Sequence, residues 1–423
     1  MDDPRLEPIR AALQRGQRLT LEQGDLLYTT PDIWSVCEMA HSVRTRLHGD
    51  IGYYNVNRHF NYSNVCALSC AFCEFYRKDG DDGAYTRSID EAKAEARSAV
   101  AGGATELHIV GGLHPTQPFS FYTDMLSSIK EEAPQIHLKA FTAVEIVHLA
   151  KIARVFKSGD RTAGIRWVLE RLKEAGLGSL PGGGAEVFDD RVHDEAFKGK
   201  IRSDVWLDVH RVAHELGLNS NATILYGHIE DRSERLVHMD MLRRAQDEAL
   251  GRLGYTPDES GVVTLTKRGT AQPCVAQASQ SKHEQAYKSE ISATPIDGGG
   301  CFQTIIPLPF IPDGSALVHL PGPSGLENLR TLAICRLMLD NIPHVKAFWI
   351  MQTLDMAEVM LQSGADDIDG TVVWYDITKV GGASTHQETT AADLRRVIRQ
   401  AGFEPVERDT LYRRVVRERI TAS

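Results

Sequence analysis

Three cysteines fall within eight residues, in the run Asn64-Val65-Cys66-Ala67-Leu68-Ser69-Cys70-Ala71-Phe72-Cys73. The spacing is CxxxCxxC, with the aromatic Phe72 just before the last thiol. Three thiolates on one short loop can each bind a different iron of a 4Fe–4S cubane, which leaves the fourth iron without a protein ligand. An open iron lets a small molecule coordinate there, and adenosyl radical chemistry is one task such clusters carry. A structural zinc site is the alternative, but it normally takes four ligands, often as two separated pairs. A second CxxC is absent, and His59, which could complete a Cys3His set, lies seven residues before Cys66. Cys37, Cys274, Cys301 and Cys335 stand alone and read as packing or surface residues.

An open cluster iron needs neighbours that hold its ligand. Leu107-His-Ile-Val-Gly111-Gly112-Leu-His-Pro115 reads as a strand ending in two glycines, where backbone can approach a ligand closely and offer carbonyls. Glu145 and Glu186 are expected at the ends of the third and fourth strands, where catalytic groups of a barrel gather. Each carboxylate could equally be an ordinary surface group. Thr223 and Leu225, in Thr223-Ile-Leu-Tyr-Gly227-His228-Ile-Glu230, could form an apolar wall for an adenine. Arg58, His59, Asn61 and Ser63 crowd polar groups onto the first strand, an odd content for a packed barrel core. Arg58 suits a carboxylate through its planar fork, and His228 and His114 are candidate acid/base groups. With 16 histidines in the chain, any single one has an inert role as its simplest reading.

The elements that must position these residues follow from periodicity. Residues 1–50 read as a helical extension, with Thr20 capping Leu21–Leu27. Eight strands are expected at Arg58–Asn64, Glu106–Val110, Leu138–Phe141, Gly184–Val187, Ser220–Leu225, Phe302–Pro307, Val345–Ile350 and Asp369–Val373. Helices are expected between them, at Ser88–Val100, Phe121–Lys130, Thr162–Glu174, Ser203–Leu216, Gly325–Leu339 and Met356–Gln362. Alternation of this kind argues for an α/β fold, a (βα)8 TIM-type barrel over 51–380, with a doubly wound sheet as runner-up. Residues 381–423 read as a helical and strand tail. The polar stretch 251–300 breaks the rhythm and reads as an insertion, a lid or a disordered segment.

The bulk composition narrows the partners. Net charge is −10 and the pI about 5.9, so nothing electrostatic favours nucleic acid or an anionic membrane. No apolar run reaches the length of a membrane span. The polar start Met1-Asp-Asp-Pro-Arg lacks the apolar core of a signal peptide, and clustered thiols suit a reducing compartment, so a cytoplasmic location is expected.

The chain resembles the aminofutalosine (aminodeoxyfutalosine) synthases, radical S-adenosylmethionine enzymes of the futalosine route to menaquinone. The likeness rests on Asn57-Arg-His-Phe-Asn-Tyr-Ser-Asn-Val-Cys66, Glu106–Pro115, Lys139–Ile146, Pro181–Phe188, Asn219–Glu230, Gly322–Asp340 and Gly364–Val373. The segment 251–300 departs from it. The resemblance implies a barrel of the radical S-adenosylmethionine type, a 4Fe–4S cluster on Cys66, Cys70 and Cys73, and S-adenosyl-L-methionine as co-substrate. It further implies addition of a 5′-deoxyadenosyl radical to the enolpyruvyl double bond of 3-[(1-carboxyvinyl)oxy]benzoate. Rearrangement and loss of the enolpyruvyl carboxylate would give 6-amino-6-deoxyfutalosine. An electron donor of flavodoxin or ferredoxin type is implied as partner. Phe72, Gly111, Gly112, Glu145, Glu186, Thr223 and Leu225 are then the expected cofactor-binding residues, and Arg58, His59 and His228 the catalytic ones. Because the substrate carries two carboxylates, an Arg or Lys is expected in the pocket, with Arg58 first in line. Cyclic dehypoxanthine futalosine synthase and the radical subunit of deazaflavin-chromophore synthesis share cluster and barrel and differ in substrate. A non-catalytic metal-binding protein is the reading from another class; a brown colour in anaerobic protein separates it from the rest.

Overall fold

The computed structural model describes residues 3–157, 159–184, 186–256, 266–267, 300–371 and 388–417. In chain order the strands begin with β1 Ile51–Tyr54, β2 Asn57–Phe60, β3 Glu106–Ile109, β4 His137–Ala140, β5 Ser179–Leu180 and β6 Asn219–Tyr226. They continue with β7 Tyr255–Thr256, β8 Thr266–Lys267, β9 Phe302–Pro309, β10 His344–Ala347, β11 Asp367–Ile368 and β12 Glu404–Glu407. β7 and β8 form a small antiparallel pair within the expected insertion. The other ten make one parallel sheet in the order β12-β1-β11-β10-β9-β6-β5-β4-β3-β2.

The sheet curls until β2, at one end, meets the chain just past β11, third from the other, which excludes the doubly wound alternative. Thr371, just past β11, donates its hydroxyl to the Asn57 carbonyl at 3.3 Å and accepts the Asn57 N–H at 3.4 Å, at the start of β2. Gly370 makes the approach possible: a Cβ there would lie 2.4 Å from Asn57 Oδ1. The eight strands β2, β3, β4, β5, β6, β9, β10 and β11 therefore enclose a TIM-type interior, and β1 and β12 extend the sheet beyond β11.

Local chemistry sets the helices that wrap this sheet. Capping boxes start helices Leu21–Thr29 (Thr20 with Gln23), Ile89–Ala101 (Ser88 with Glu91) and Ala143–Ile152 (Thr142 with Glu145). The helix Ile33–His48, capped by Asp32, buries Val36, Met39, Ala40 and Val43 in the same apolar core as the barrel helices. A 21-residue helix, Arg232–Arg252, is absent from the sequence expectation because its buried positions include Arg235, Asp240, Arg243 and Gln246, which hide the amphipathic pattern. These side chains are paired: Gln246 exchanges hydrogen bonds with the Phe302 backbone at 2.9 Å each way, and Arg243 donates to Asp240.

Several strands differ from expectation for local reasons. Of the strand expected at Gly184–Val187, the described residues Gly184, Glu186 and Val187 are not in a strand; the fourth barrel strand is Ser179–Leu180, Gly182-Gly183-Gly184 follow it, and Glu186 has φ 34°. The strand expected at Val345–Ile350 is β10, displaced toward the N-terminus, and a helical turn Trp349–Gln352 follows, its indole N–H donating to the Asp369 and Gly370 carbonyls. β11 is only Asp367–Ile368; Val372 and Val373 of the expected strand lie outside the described residues, as do Cys274 and most of 251–300. β1 and β12 carry Gly52 and Pro405, residues that read as strand breakers, and they are found beside each other at the extension of the sheet. No described helix is long and apolar enough to cross a membrane.

Candidate active site

A cavity of about 330 Å³ opens at the C-terminal ends of the barrel strands, and Cys66, Cys70 and Cys73 all line it. Their loop is tied to the rest of the chain by backbone groups, and within it Cys66 Sγ accepts the Leu68 N–H at 3.4 Å. Cys66 N–H donates to the Arg77 carbonyl (2.9 Å), Ala67 N–H to Leu113 (2.9 Å) and Ala71 N–H to Ala196 (3.1 Å), while Ala316 N–H donates to the Ala71 carbonyl (2.7 Å). Lys78 adds a cap, its ammonium donating to the carbonyls of Cys66, Ala67 and Leu68 at 2.9–3.2 Å. The loop is thus shaped before any metal arrives. Burial pushes the Cys70 thiol up to about 11 and raises that of Cys73, with the Lys200 ammonium opposing both. Metal binding there must displace protons.

Phe72 lines the cavity, with the Lys200 ammonium 4.7 Å from its ring centre and Phe197 edge-on at 6.1 Å. Gly111 and Gly112 also line it, but the close approach they permit is to the cysteine loop itself. A Cβ on Gly112 would sit 2.3 Å from the Val65 carbonyl oxygen, and one on Gly111 2.7 Å from the Tyr62 ring. Gly112→Ala is therefore expected to displace the loop, lowering bound iron per chain and costing about 2 kcal/mol or more of stability. Iron analysis and thermal melting of the variant check both; unchanged iron content would show that the loop tolerates the shift.

Glu145 is at the cavity wall, yet its oxygens are already engaged. Oε1 accepts from Tyr62 Oη (2.8 Å) and Gly111 N–H (3.0 Å), and Oε2 from the Thr142 N–H and hydroxyl (2.7 Å each). Burial pushes this carboxyl up to about 7 against those four donors. Its geometry is that of a clasp joining the ends of β3 and β4 to the chain beyond β2. Glu186 differs. Its Oε1 pairs with the Lys200 ammonium, while Oε2 is buried with no hydrogen-bond partner, and the residue lines the same cavity. A positive φ at a non-glycine residue holds it there. Thr223 donates its hydroxyl to the Gly182 carbonyl at 2.7 Å, so it ties β6 to the glycine turn, and Leu225 presents apolar surface to the cavity.

The three expected catalytic residues separate. His59 lines the cavity from β2, its ring 4.4 Å from that of His108, and burial pushes it down to about 4. Arg58, one residue earlier, points to the opposite face of the strand, where its guanidinium lies 3.3 Å from the Cβ position of Gly102 at the end of helix Ile89–Ala101. It is not a cavity residue. His228 is also outside the lining: it is buried beside Glu230 (Nδ1 to Oε2, 3.2 Å) and its Nε2 lies 3.1 Å from the Leu225 carbonyl. Burial lowers its pKa, as it does for His114, whose Nδ1 accepts the Thr116 and Gln117 N–H groups at 3.3 Å.

Sequence reading missed the barrel floor. His108, Lys139, Asn221, Lys346 and Asp369 line the cavity together with His59. Register places His59, His108 and Lys139 side by side on β2, β3 and β4. Lys139 pairs with Glu106 and Lys346 with Asp369, at 2.8 and 2.9 Å. Burial alone would raise the Asp369 carboxyl, yet Lys346 and His59 hold it below its usual range. The one available signal was a lysine in the middle of two otherwise apolar strands, His137-Leu-Lys-Ala140 and His344-Val-Lys-Ala347.

Comparison with known proteins adds the family. Residues 60–242 match the radical SAM superfamily, and residues 299–420 match the CofH/MqnC C-terminal region. The chain is 39% identical over 417 residues to the aminodeoxyfutalosine synthase of Thermus thermophilus, spanning 98% of this chain and 96% of that one. It is 38% identical to the aminodeoxyfutalosine synthase of Streptomyces coelicolor, spanning 97% and 94%. At 31% identity over 96% and 94% it also matches the 5-amino-6-(D-ribitylamino)uracil–L-tyrosine 4-hydroxyphenyl transferase of Methanopyrus kandleri. Among solved structures, methylornithine synthase shares the fold, with a TM-score of 0.63, 15% identity and coverage of 94% of this chain and 97% of that one.

Proposed function

The chain belongs to the radical SAM superfamily, in the family that contains the aminodeoxyfutalosine synthases, and on that premise we propose that it transfers the 5′-deoxyadenosyl group to 3-[(1-carboxyvinyl)oxy]benzoate, giving 6-amino-6-deoxyfutalosine. The observation that carries this reading is likeness over almost the whole chain, barrel and C-terminal region alike.

The residues present fit a 4Fe–4S cluster. Three thiols on a preformed loop line one cavity, with the Lys200 cation beside them to offset thiolate charge. Among the described residues, the only three metal-ligating side chains whose ligand atoms converge within 4.8 Å are His48, His344 and Asp366, so the cysteine sulfurs are spread more widely than a single ion would draw them. A 4Fe–4S cluster held by Cys66, Cys70 and Cys73 would supply the electron, drawn from a flavodoxin- or ferredoxin-type donor, for cleavage of S-adenosylmethionine to methionine and the 5′-deoxyadenosyl radical. The chain's own part is positioning and exclusion. Glu186 Oε2 offers a buried acceptor for the co-substrate ammonium, and Lys200 a cation for its carboxylate. Phe72, Leu225 and Thr223 present surface for the adenosyl moiety. Val110, Ile306 and Leu308 line the same space and keep water from the reacting carbons. Holding the alkene against C5′ is the remaining requirement on the barrel walls.

An anaerobic assay with reductant, S-adenosylmethionine and 3-[(1-carboxyvinyl)oxy]benzoate, read by mass spectrometry, tests the reading. The expected product carries the adenosyl group. Release of 5′-deoxyadenosine and methionine alone would overturn the substrate assignment. Turnover with L-tyrosine and 5-amino-6-(D-ribitylamino)uracil instead would put the chain with the second set of relatives.

A further inference from the structure

The interior of a TIM-type barrel is ordinarily filled by layers of branched apolar side chains. Here the layer formed by β2, β3 and β4 is His59, His108 and Lys139, and Lys346 and Asp369 complete it from β10 and the end of β11. These side chains leave space rather than fill it, since all of them line the cavity. A buried ion pair is weak support for a fold, and an apolar layer of similar volume is often more stable. Two lysines kept at the bottom of a cavity therefore point to a ligand. Lys139 is paired with Glu106 at 2.8 Å, and Lys346 with Asp369 at 2.9 Å, with Asp367 a further neighbour at 3.8 Å. Each ammonium has three N–H donors, more than its carboxylate partner requires.

The floor is also at the right end. His108 lies three residues before Gly111 along the strand direction, about 10 Å at the usual rise, so it is well separated from the cysteine loop that Gly111 and Gly112 touch. A substrate whose reacting alkene faces the cysteine end must extend its far end toward the lysines.

We infer that Lys139 and Lys346, flanking the His59–His108 pair, form a carboxylate subsite at the barrel floor that receives the ring carboxylate of an aromatic substrate. The identity of that substrate rests on the function proposed above; the chemistry of the subsite does not. It selects a planar aryl carboxylate over its uncharged amide, and it sets which end of the substrate faces the radical. Lys139 and Lys346 are specificity residues in this assignment.

Calorimetric titration of the anaerobic holoenzyme with 3-methoxybenzoate and with 3-methoxybenzamide tests it without turnover. The wild type is expected to prefer the carboxylate. The double variant K346M/D369N removes the pair together, while Asp367, the other carboxylate near Lys346, keeps its pairing with Arg408; it is expected to weaken carboxylate binding by at least about 30-fold while leaving amide binding unchanged. K139M/E106Q is the matching variant for the other side. Each variant is compared only where its melting temperature and visible cluster absorbance match the wild type; the two double variants keep the test open if one fails to fold. No preference for the carboxylate in the wild type, or an unaltered preference in both folded variants, overturns the subsite. The turnover assay reports separately on the substrate: adduct from 3-[(1-carboxyvinyl)oxy]benzoate with an unaltered binding preference would leave the function standing and remove the subsite alone.

Discussion

Replacing any one of Cys66, Cys70 or Cys73 with alanine is expected to give a folded, colourless protein with turnover reduced by at least about 1000-fold. The size of the effect follows from where the chemistry lies: electron delivery to S-adenosylmethionine belongs to the cluster, and no side chain can replace it. That the protein should stay folded follows from how the loop is held. Its anchors are the backbone bonds of Cys66, Ala67 and Ala71 and the Lys78 clamp, none of which uses a thiol. Far-UV circular dichroism should therefore match the wild-type apoprotein, while iron content and absorbance at about 400 nm are lost. Cys37→Ala makes the contrast, because Cys37 is a core residue of helix Ile33–His48, remote in sequence from the loop. It should keep iron and colour. An alanine variant of the triplet that retains both the chromophore and turnover would sink the assignment of that thiol.

Acid should unfold this protein well above the pH at which carboxylates titrate. Burial holds His59 and His137 down to about 4, and His48, His214 and His238 down to about 3. For His238 the hydrogen bonds show why. Its Nδ1 accepts the Phe188 N–H at 3.1 Å while Nε2 donates to the Thr223 carbonyl at 3.0 Å, so a second proton has no acceptor. In the unfolded chain the same rings protonate near about 6.5. A depressed folded pKa contributes stability that is complete above the unfolded value and is lost as pH falls toward the folded one. The window is thus from about 6.5 down to 4. A shift of the size at His59 is worth about 3 kcal/mol, and total stability is only about 5–15 kcal/mol. At pH 5 each of the five rings has given up about 2 kcal/mol of this, together about 10 kcal/mol, which is the size of the total, so a midpoint near about pH 5 is expected. Chemical denaturation at a series of pH values should show two or more protons taken up on unfolding. A flat stability profile from 6.5 to 4 would mean that the rings are protonated in the fold and that the His238 tautomer is wrong.

Features with short-range causes were legible in the residues. The cysteine spacing is local, so the metal chemistry could be read before any fold. Capping at Thr20 is local too, and helix Leu21–Thr29 begins where its side chain accepts the Gln23 N–H. Phe302–Pro309 and Asn219–Tyr226 are long enough for their pattern to identify them as strands. Legibility failed where the pattern was too short or contrary. β5 and β11 have two residues each, and β1 and β12 contain a glycine and a proline, so what makes them strands is their neighbours in the sheet.

The roles of individual site residues depended on direction and on distant partners. A strand places successive side chains on opposite faces, so a register uncertain by one residue exchanges Arg58 for His59; the structure puts the histidine inside and the arginine out. Glu145 and Glu186 look alike in sequence, each beside a strand end. Only tertiary structure shows that four donors occupy the first while the second keeps a buried oxygen open. Lys139 and Lys346 lie far apart in the chain, and each alone is one charged residue in an apolar run. Curling the sheet brings them to one cavity floor, a contact that no local pattern encodes. The chain's sequence thus determined which chemistry it can hold, because that depends on neighbours along a loop; the barrel's closure decided where a substrate can lie, because that depends on which faces of distant strands are turned toward each other.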